Sequence, residues 1–504
     1  MLALSLAFAQ LGHSATIPTP SDVTDLRARH EQLRNRWMAT AKQLAERHEF
    51  KGQTAEAEAI RQLIEPPTTE VLSISVLPSN GQSVGMKSVR NDGRVPTGSV
   101  AAPSTAQDWQ VALAQSRKQH AMDLFELARV AFQAGEISYC YELVREVVEH
   151  DPDHGAARNL LGYTRYGNQW VSPYAATKLK AGQVWDPRFG WVPKTHVPRL
   201  EKGERLWKGQ WLAADEVAKY RQEWANAWEI ETEHYLIRTN TSLERGAAFA
   251  DKLEKLYAIF FRLFAGFFNP RDQIALLFDT PNRRTAFGKL EEPPRRAAKR
   301  FRVHFYRTRE QYLEALRPHI KSGLEVSTGI YVPATRTAYF FLDDSMDEST
   351  VIHEATHQLF SETRDHQQAI GTRGNYWAIE GIACYMESFH DLGDRVELGS
   401  WDTPRLKVGR ERIQRGDQYL PIDKLVRLGM NDFQGPAVYA MYTESACLCR
   451  FLMHYDNGRY REGLVRLLEQ VYLGKAGYET LAELTDTDYT QLERQFREHV
   501  GTGG

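Results

Sequence analysis

The segment VIHEATHQLF, residues 351–360, constrains the fold of this chain more than any other segment. It places His353 and His357 four positions apart, with Glu354 directly after the first histidine. Residues four apart on an α-helix lie on the same face, so both imidazoles can reach one tetrahedral metal ion. The segment therefore predicts a helix that contributes two ligands to a zinc site.

The surrounding residues also predict a helix here. Ser345 and Glu348 have the spacing of a capping box, which marks a helix start just upstream. Ile352, Ala355 and Leu359 form an apolar stripe beside the histidines. A buried helix with two ordinary histidines would show the same pattern, so a third ligand has to decide between the two interpretations.

Glu380 is the best-placed third ligand. It lies 23 positions after His357, within residues 375–389, NYWAIEGIACYMESF, which we also predict to be helical. The apolar residues of this segment are spaced for burial, and Glu380 falls on a different face. Catalytic zinc commonly takes three protein ligands and leaves a fourth position for water, so Glu380 completes the expected set.

These motifs resemble the gluzincin metallopeptidases, in which a second helix supplies the glutamate that completes an H-E-x-x-H site. Residues 377–383, WAIEGIA, are similar to the W-x-x-E-G-x-A pattern of the aminopeptidase-like branch and of peptidase-MA-like relatives. The thermolysin branch has an aspartate where this chain has Cys384, which we interpret as a small buried apolar residue. Phe360 and Thr363 occupy the positions of the glycine and third histidine of metzincins, which excludes that pattern.

The resemblance implies a zinc metallopeptidase with a single Zn²⁺ held by His353, His357 and Glu380. Such a site lowers the pKa of a metal-bound water and polarises the scissile carbonyl. Glu354 is then the general base that accepts the proton of the attacking water and passes it to the leaving amine.

The resemblance also implies a tyrosine that stabilises the oxyanion. Residues 438–453, VYAMYTESACLCRFLM, contain Tyr439 and Tyr442. Tyr442 opens a stretch similar to the Y-x-x-S helix start of the peptidase-MA-like relatives, and we favour it over Tyr439. Either ring could instead be a packed core tyrosine.

The expected substrate is a peptide or protein. The G-x-M-E-N strand that anchors the substrate amine in aminopeptidases is absent, which favours an endopeptidase. Residues 336–342, RTAYFFL, predict an edge strand that could pair with an extended peptide. Two alternatives stay open: a non-catalytic envelope binding or scaffold protein with a structural zinc, and a zinc amidase that acts on cell-wall material.

Composition is that of a multidomain soluble chain without a dominant charge. The 504 residues are 42% hydrophobic and 25% charged, and 63 Lys and Arg balance 65 Asp and Glu. No global field therefore favours nucleic acid, and no apolar run approaches the length of a membrane span. Residues 1–20 begin with MLALSLAFAQLGHSA, which resembles a secretory signal and predicts export to a periplasm or beyond.

The N-terminal half is predicted to be mainly helical. Residues 21–65 read as a helical arm broken near Lys51 and Gly52, and residues 66–107 as a flexible linker rich in proline and glycine. Residues 108–228 hold a tetratricopeptide-like helical hairpin at 121–154, which suggests a protein partner, followed by short segments with Gly and Trp. An ordinary helical hairpin is the alternative.

The predicted peptidase domain spans residues 229–504. Strands are expected near 233–239, 273–279, 302–306 and 336–342, with a long amphipathic helix from Leu243 to Phe268. A mixed sheet followed by two metal-bearing helices and a helical tail is the gluzincin order. The predicted fold class is therefore α+β.

Overall fold

The structure is a computed structural model that describes residues 20–62, 64, 70–77, 106–268, 300–320, 323–324, 327–342, 348–363 and 370–502. It contains both helices and small sheets, which agrees with the expected α+β class. The predicted signal segment, apart from Pro20, lies outside the described residues, as does the strand expected at 273–279.

The N-terminal part is a set of packed helices. Its elements are α1 (Pro20–Phe50), α2 (Thr54–Gln62), β1 (Leu72–Ser75), α3 (Ala106–Ala134), α4 (Ile137–His150) and α5 (Gly155–Leu160). The helical arm breaks where the sequence predicts, because Gly52 adopts a φ of 76° in the turn between α1 and α2. Helix α1 packs against α2 and α3.

Helices α3 and α4 form the predicted hairpin. Gly135, with a φ of 86°, lies in the turn that joins them, and Ala128 and Cys140 are buried in their shared core. The hairpin packs onto the C-terminal part of the chain, where the backbone N–H of Ser138 donates a buried hydrogen bond of 3.0 Å to Glu462. It is therefore attached to the domain that follows.

Three successive hairpin-and-helix units connect the two parts. They are β2 (Thr164–Tyr166), β3 (Gln169–Val171) and α6 (Pro173–Lys180); β4 (Gln183–Asp186), β5 (Gly190–Pro193) and α7 (Val197–Glu201); β6 (Glu204–Trp207), β7 (Gln210–Ala213) and α8 (Ala214–Arg221). Each second strand carries one tryptophan: Trp170, Trp191 and Trp211. The Trp-bearing segments of the sequence are thus short two-stranded sheets.

A five-stranded sheet follows. Its elements, with the helices between them, are β8 (Trp228–Glu231), β9 (Tyr235–Thr239), α9 (Leu243–Leu263), α10 (Ala265–Phe268), β10 (Phe301–Tyr306), α11 (Arg309–Leu316), β11 (Gly329–Val332) and β12 (Thr337–Phe341). The strand order is β11-β12-β10-β9-β8. Strands β9, β10 and β12 are parallel, whereas β8 and β11 are antiparallel edges.

One strand prediction needs correction. Residues 336–342 do form a strand, β12, but it is not an edge strand, because it lies between β10 and β11. All five residues of β12 are buried, as expected for an apolar strand that is covered on both faces. The edge next to β12 is β11.

The helical tail completes the fold. Its elements are α12 (Glu348–Thr363), α13 (Tyr376–Met386), β13 (His390–Asp391), β14 (Arg395–Leu398), α14 (Pro404–Arg415), α15 (Ile422–Leu425), α16 (Met430–Phe433), α17 (Val438–Gly458), α18 (Arg461–Tyr472), α19 (Thr480–Thr485) and α20 (Tyr489–Thr502). One large core joins these helices to the five-stranded sheet. Among the described helices, none combines the length and apolarity needed to cross a membrane.

The predicted linker is wrong for residues 70–77. Strand β1 pairs antiparallel with β14, with Leu72 opposite Leu398, and Ile74 is buried in the large core. The alternation of apolar Leu72, Ile74 and Val76 is a strand pattern, which the surrounding prolines and glycines obscured. This part of the segment is an element of the C-terminal fold.

Candidate metal centre

Helices α12 and α13 bring three potential metal ligands together. His353 and His357 lie one helical turn apart on α12, and Glu380 lies in the middle of α13. The capping serine predicted for α12, Ser345, lies outside the described residues, and the helix begins at Glu348. Because α12 packs on both α13 and the sheet, the three side chains are held by rigid elements.

The ligand atoms of these side chains form a small triangle. The Nε2 atoms of His353 and His357 are 3.1 Å apart. Oε2 of Glu380 lies 3.6 Å from Nε2 of His353 and 3.4 Å from Nε2 of His357. Two imidazoles and one carboxylate thus converge on a single point.

This triangle has the size that zinc requires. A tetrahedral zinc ion with bonds of about 2.0 to 2.1 Å separates its ligand atoms by roughly 3.3 Å. Two His nitrogens and a carboxylate oxygen are also ligand types that zinc prefers. The donor set and its spacing fit one zinc ion, with the fourth position left for a small ligand.

The carboxyl group of Glu380 is buried beside the two histidines. Its residue is only 6% exposed, and burial by itself would raise the pKa of the carboxyl group. Electrostatic interactions with His357 and His353, whose Nε2 atoms lie 3.4 and 3.6 Å from the carboxylate, more than offset burial, and the pKa of Glu380 lies well below its ordinary value. A carboxylate that keeps its charge in this position is suited to bind a cation.

The other ring nitrogen of His353 has a partner that the sequence interpretation missed. Nδ1 of His353 lies 2.8 Å from Oε1 of Glu387, and Arg405 donates two hydrogen bonds of 2.8 and 2.9 Å to the same carboxylate. A carboxylate in this place orients the ring of a metal-binding histidine. The available signal was the spacing, since Glu387 follows Glu380 by two helical turns.

The side chain of Glu354 extends from α12 to the edge strand β11. Its Oε2 atom accepts a hydrogen bond of 2.8 Å from the backbone N–H of Tyr331 in β11. This hydrogen bond shows that the carboxylate of Glu354 is directed at β11. The arrangement therefore gives the site a carboxylate beside an edge strand.

Three side chains link Glu380 to α17. The hydroxyl of Tyr376 donates to Oε1 of Glu380 at 2.7 Å, and the amide of Gln434 donates to the hydroxyls of Tyr376 and Tyr442. Tyr442 is thus connected to Glu380 through Gln434 and Tyr376, whereas Tyr439 is 53% exposed. Tyr376 and Gln434 were not recognised from the sequence.

The positions of the predicted site residues are therefore as follows. His353, His357 and Glu380 converge, the carboxylate of Glu354 contacts the edge strand β11, and Tyr442 is connected to Glu380 through Gln434 and Tyr376.

Comparisons with models of known protein families, with curated proteins and with solved structures find no match for this chain.

Gly381 allows α13 to approach α17 closely. A Cβ atom at this position would lie 2.8 Å from both Cβ and the carbonyl oxygen of Ser445, and 3.0 Å from Sγ of Cys449. Only a residue without a side chain fits such an approach. The glycine after Glu380 thus fixes the depth at which α13 sits in the core, and with it the position of the carboxylate.

Proposed function

We propose that this protein is a zinc-dependent peptidase of the gluzincin kind. The observation that carries the proposal is the convergence of the ligand atoms of His353, His357 and Glu380 at tetrahedral spacing. The order of a mixed sheet, two ligand-bearing helices and a helical tail supports it. The proposal assigns the chain to hydrolysis of peptide bonds.

The zinc ion would be held by His353, His357 and Glu380. When bound, it would act as a Lewis acid that polarises the scissile carbonyl and lowers the pKa of a bound water. Glu387 fixes the ring of His353 by accepting from Nδ1, so that Nε2 faces the other two ligands. Arg405 in turn holds Glu387 through both carboxylate oxygens.

Glu354 acts as the general base in this proposal. It accepts a proton from the attacking water and returns it to the leaving nitrogen, a role that a carboxylate performs when it lies within hydrogen-bond reach of the reacting groups. Its hydrogen bond to the Tyr331 N–H uses one oxygen, Oε2, and leaves Oε1 for the water. Tyr442 is the proposed donor to the oxyanion.

The proposed substrate is an extended peptide or protein segment that lies along β11. Within the described residues, β11 pairs only with β12, so its outer edge can accept one more strand at the backbone groups that Glu354 does not bond. Glu354 contacts this edge at Tyr331. A peptide bound there would pass the base in an extended conformation, which suits an endopeptidase.

The N-terminal part has a supporting role in the proposal. Helices α3 and α4, whose tetratricopeptide-like character is part of the proposal, pack on the peptidase part and would position it against a protein partner. We also propose that the protein works after export, as the first fifteen residues suggest.

The test is hydrolysis of a mixed peptide library by the full-length protein. We expect wild-type activity that is lost on chelation with 1,10-phenanthroline and restored by zinc. Glu354→Gln should lower turnover by about 10²- to 10⁴-fold while the zinc content stays unchanged. Glu348→Gln, a change of an exposed carboxylate at the start of the same helix, is the matched control and should leave turnover intact.

Three outcomes would contradict the proposal. Retained turnover in Glu354→Gln would remove Glu354 as the base. A zinc-loaded wild-type protein that cleaves no peptide in the library would favour a scaffold with a structural zinc, and cleavage of cell-wall amides alone would favour an amidase.

A further inference from the structure

A second group of potential metal ligands lies in the N-terminal helices. His120 on α3 and Glu146 and His150 on α4 each offer one ligand atom, and these atoms lie within 4.8 Å of one another. Glu146 and His150 are four residues apart, so they share one face of α4. This face is directed at α3, against which α4 packs.

The group contains buried polar atoms that have no protein partner. His120 is only 4% exposed. Its Nε2 atom and Nδ1 of His150 are both buried, and neither has a hydrogen-bond partner among the described residues. Buried polar atoms are nearly always satisfied, because each unpaired one costs free energy. A cation that accepts both nitrogen lone pairs would remove this cost.

Helix α1 covers the group and orients its carboxylate. Nε2 of His30 lies 2.9 Å from Oε2 of Glu146, and Nδ1 of the same ring lies 2.9 Å from the hydroxyl of Tyr139. Charged or polar partners of this kind hold the ligands of metal sites in place. The contact with His30 of α1 therefore orients the carboxylate of Glu146.

The ring of Trp37 on α1 packs against both imidazoles of the group. Its ring stacks on His120 with a centroid distance of 5.5 Å and meets the edge of His150 at 4.6 Å. An indole in this position limits the access of bulk water to the two imidazoles. The three helices thus enclose two imidazoles and an oriented carboxylate.

We propose that His120, Glu146 and His150 form a second site for a divalent transition-metal cation, with zinc as the expected occupant. Two imidazoles and one carboxylate are the ligand types of zinc and similar borderline cations. The three atoms lie within 4.8 Å of one another, and binding one zinc ion would require them to approach to about 3.3 Å. The site joins α3 to α4 beneath α1, so its role is to stabilise the N-terminal helices.

The test counts zinc in full-length protein after removal of any histidine tag and dialysis against metal-free buffer. In protein that carries His353→Ala and His357→Ala, we expect about one zinc ion per chain to remain, bound by the second site. Adding His150→Ala or Glu146→Gln should lower that content at least about tenfold. His196→Ala is the matched control, since His196 packs on Trp211 and belongs to neither ligand group.

The wild-type background gives a measurement that does not depend on the first site. There His150→Ala should lower the zinc content by about one ion per chain relative to His196→Ala, with far-ultraviolet circular dichroism showing unchanged helix content. A zinc content that is equal in these two folded variants would overturn the proposal. So would a folded protein with His353→Ala and His357→Ala that retains no zinc.

Discussion

Nδ1 of His353 lies 2.8 Å from Oε1 of Glu387. The ionised carboxylate can only accept, so Nδ1 of His353 carries a proton, and Nε2 is the ring nitrogen that faces His357 and Glu380. Burial opposes ionisation of Glu387, but the hydrogen bond from His353 and those from Arg405 lower the pKa of its carboxyl group. Arg405 also holds the carboxylate in place. The pair therefore sets the tautomer that a metal ligand needs.

Replacing Glu387 should weaken zinc binding without removing a ligand. Glu387→Gln loses the charge that holds the His353 ring, and we expect zinc affinity to fall by about 10- to 100-fold. Competition with a fluorescent zinc chelator measures this change in protein that lacks His150. Glu397→Gln, on β14, is the control and should bind zinc as the parent does; equal affinities for the two variants would contradict the assigned role.

The two tyrosines of α17 should respond differently to loss of the hydroxyl. Tyr442→Phe removes the proposed oxyanion donor, so kcat/KM for peptide hydrolysis should fall by about 10²-fold with zinc content unchanged. Tyr439 is exposed, and Tyr439→Phe should leave kcat/KM at the wild-type value. If Tyr439→Phe were the slower variant, the assignment of Tyr442 would be wrong.

Gly381 should tolerate no side chain. Gly381→Ala forces a Cβ atom against Ser445 and Cys449, and we expect the free energy of unfolding to fall by about 1 to 3 kcal/mol. Gly501→Ala is the matched control, because no heavy atom lies within 4 Å of its added Cβ. Urea denaturation measures both. A Gly381→Ala protein as stable as the Gly501→Ala protein would show that α13 and α17 are not in close contact.

Glu444 should make stability depend on pH. It is 4% exposed, and burial raises the pKa of its carboxyl from 4.5 to about 8 although it accepts from the Leu420 N–H. Between these values the native state keeps the proton and the unfolded state releases it, so stability is lost as pH rises. The contribution is about 1.4 kcal/mol per pH unit.

Glu444→Gln tests this assignment because the amide cannot ionise. The variant should show a flatter dependence of the unfolding free energy on pH between 5 and 8, by up to about 1.4 kcal/mol per pH unit. Urea denaturation at several pH values measures the slope. A slope equal to that of the wild type would mean that Glu444 is ionised in the native state.

Local spacing was sufficient to predict the core of the candidate site. The positions of His353 and His357 relative to each other follow from the helix repeat alone. Glu380 was found from a motif on the next helix, and Gly381 in the same motif has a packing role that the structure explains. The parallel strands β9, β10 and β12 were also predicted, because each is a short segment rich in aromatic and β-branched residues.

Long-range contacts could not be predicted from spacing. Arg405 reaches Glu387 across a loop and two strands, and β1 pairs with β14 more than 300 residues away. The assignment of 336–342 as an edge strand failed for the same reason, since β11 is too short for its pattern to reveal where it pairs. Residues such as Gln434 depend on how the helices of the tail pack, which no local pattern encodes.

The central claim is that His353, His357 and Glu380 bind one metal ion, and anomalous diffraction at the zinc edge from zinc-soaked crystals tests it most directly. We predict an anomalous peak about 2.0 to 2.2 Å from Nε2 of His353, Nε2 of His357 and Oε2 of Glu380. Zinc-soaked crystals with no peak between these three side chains would contradict the claim.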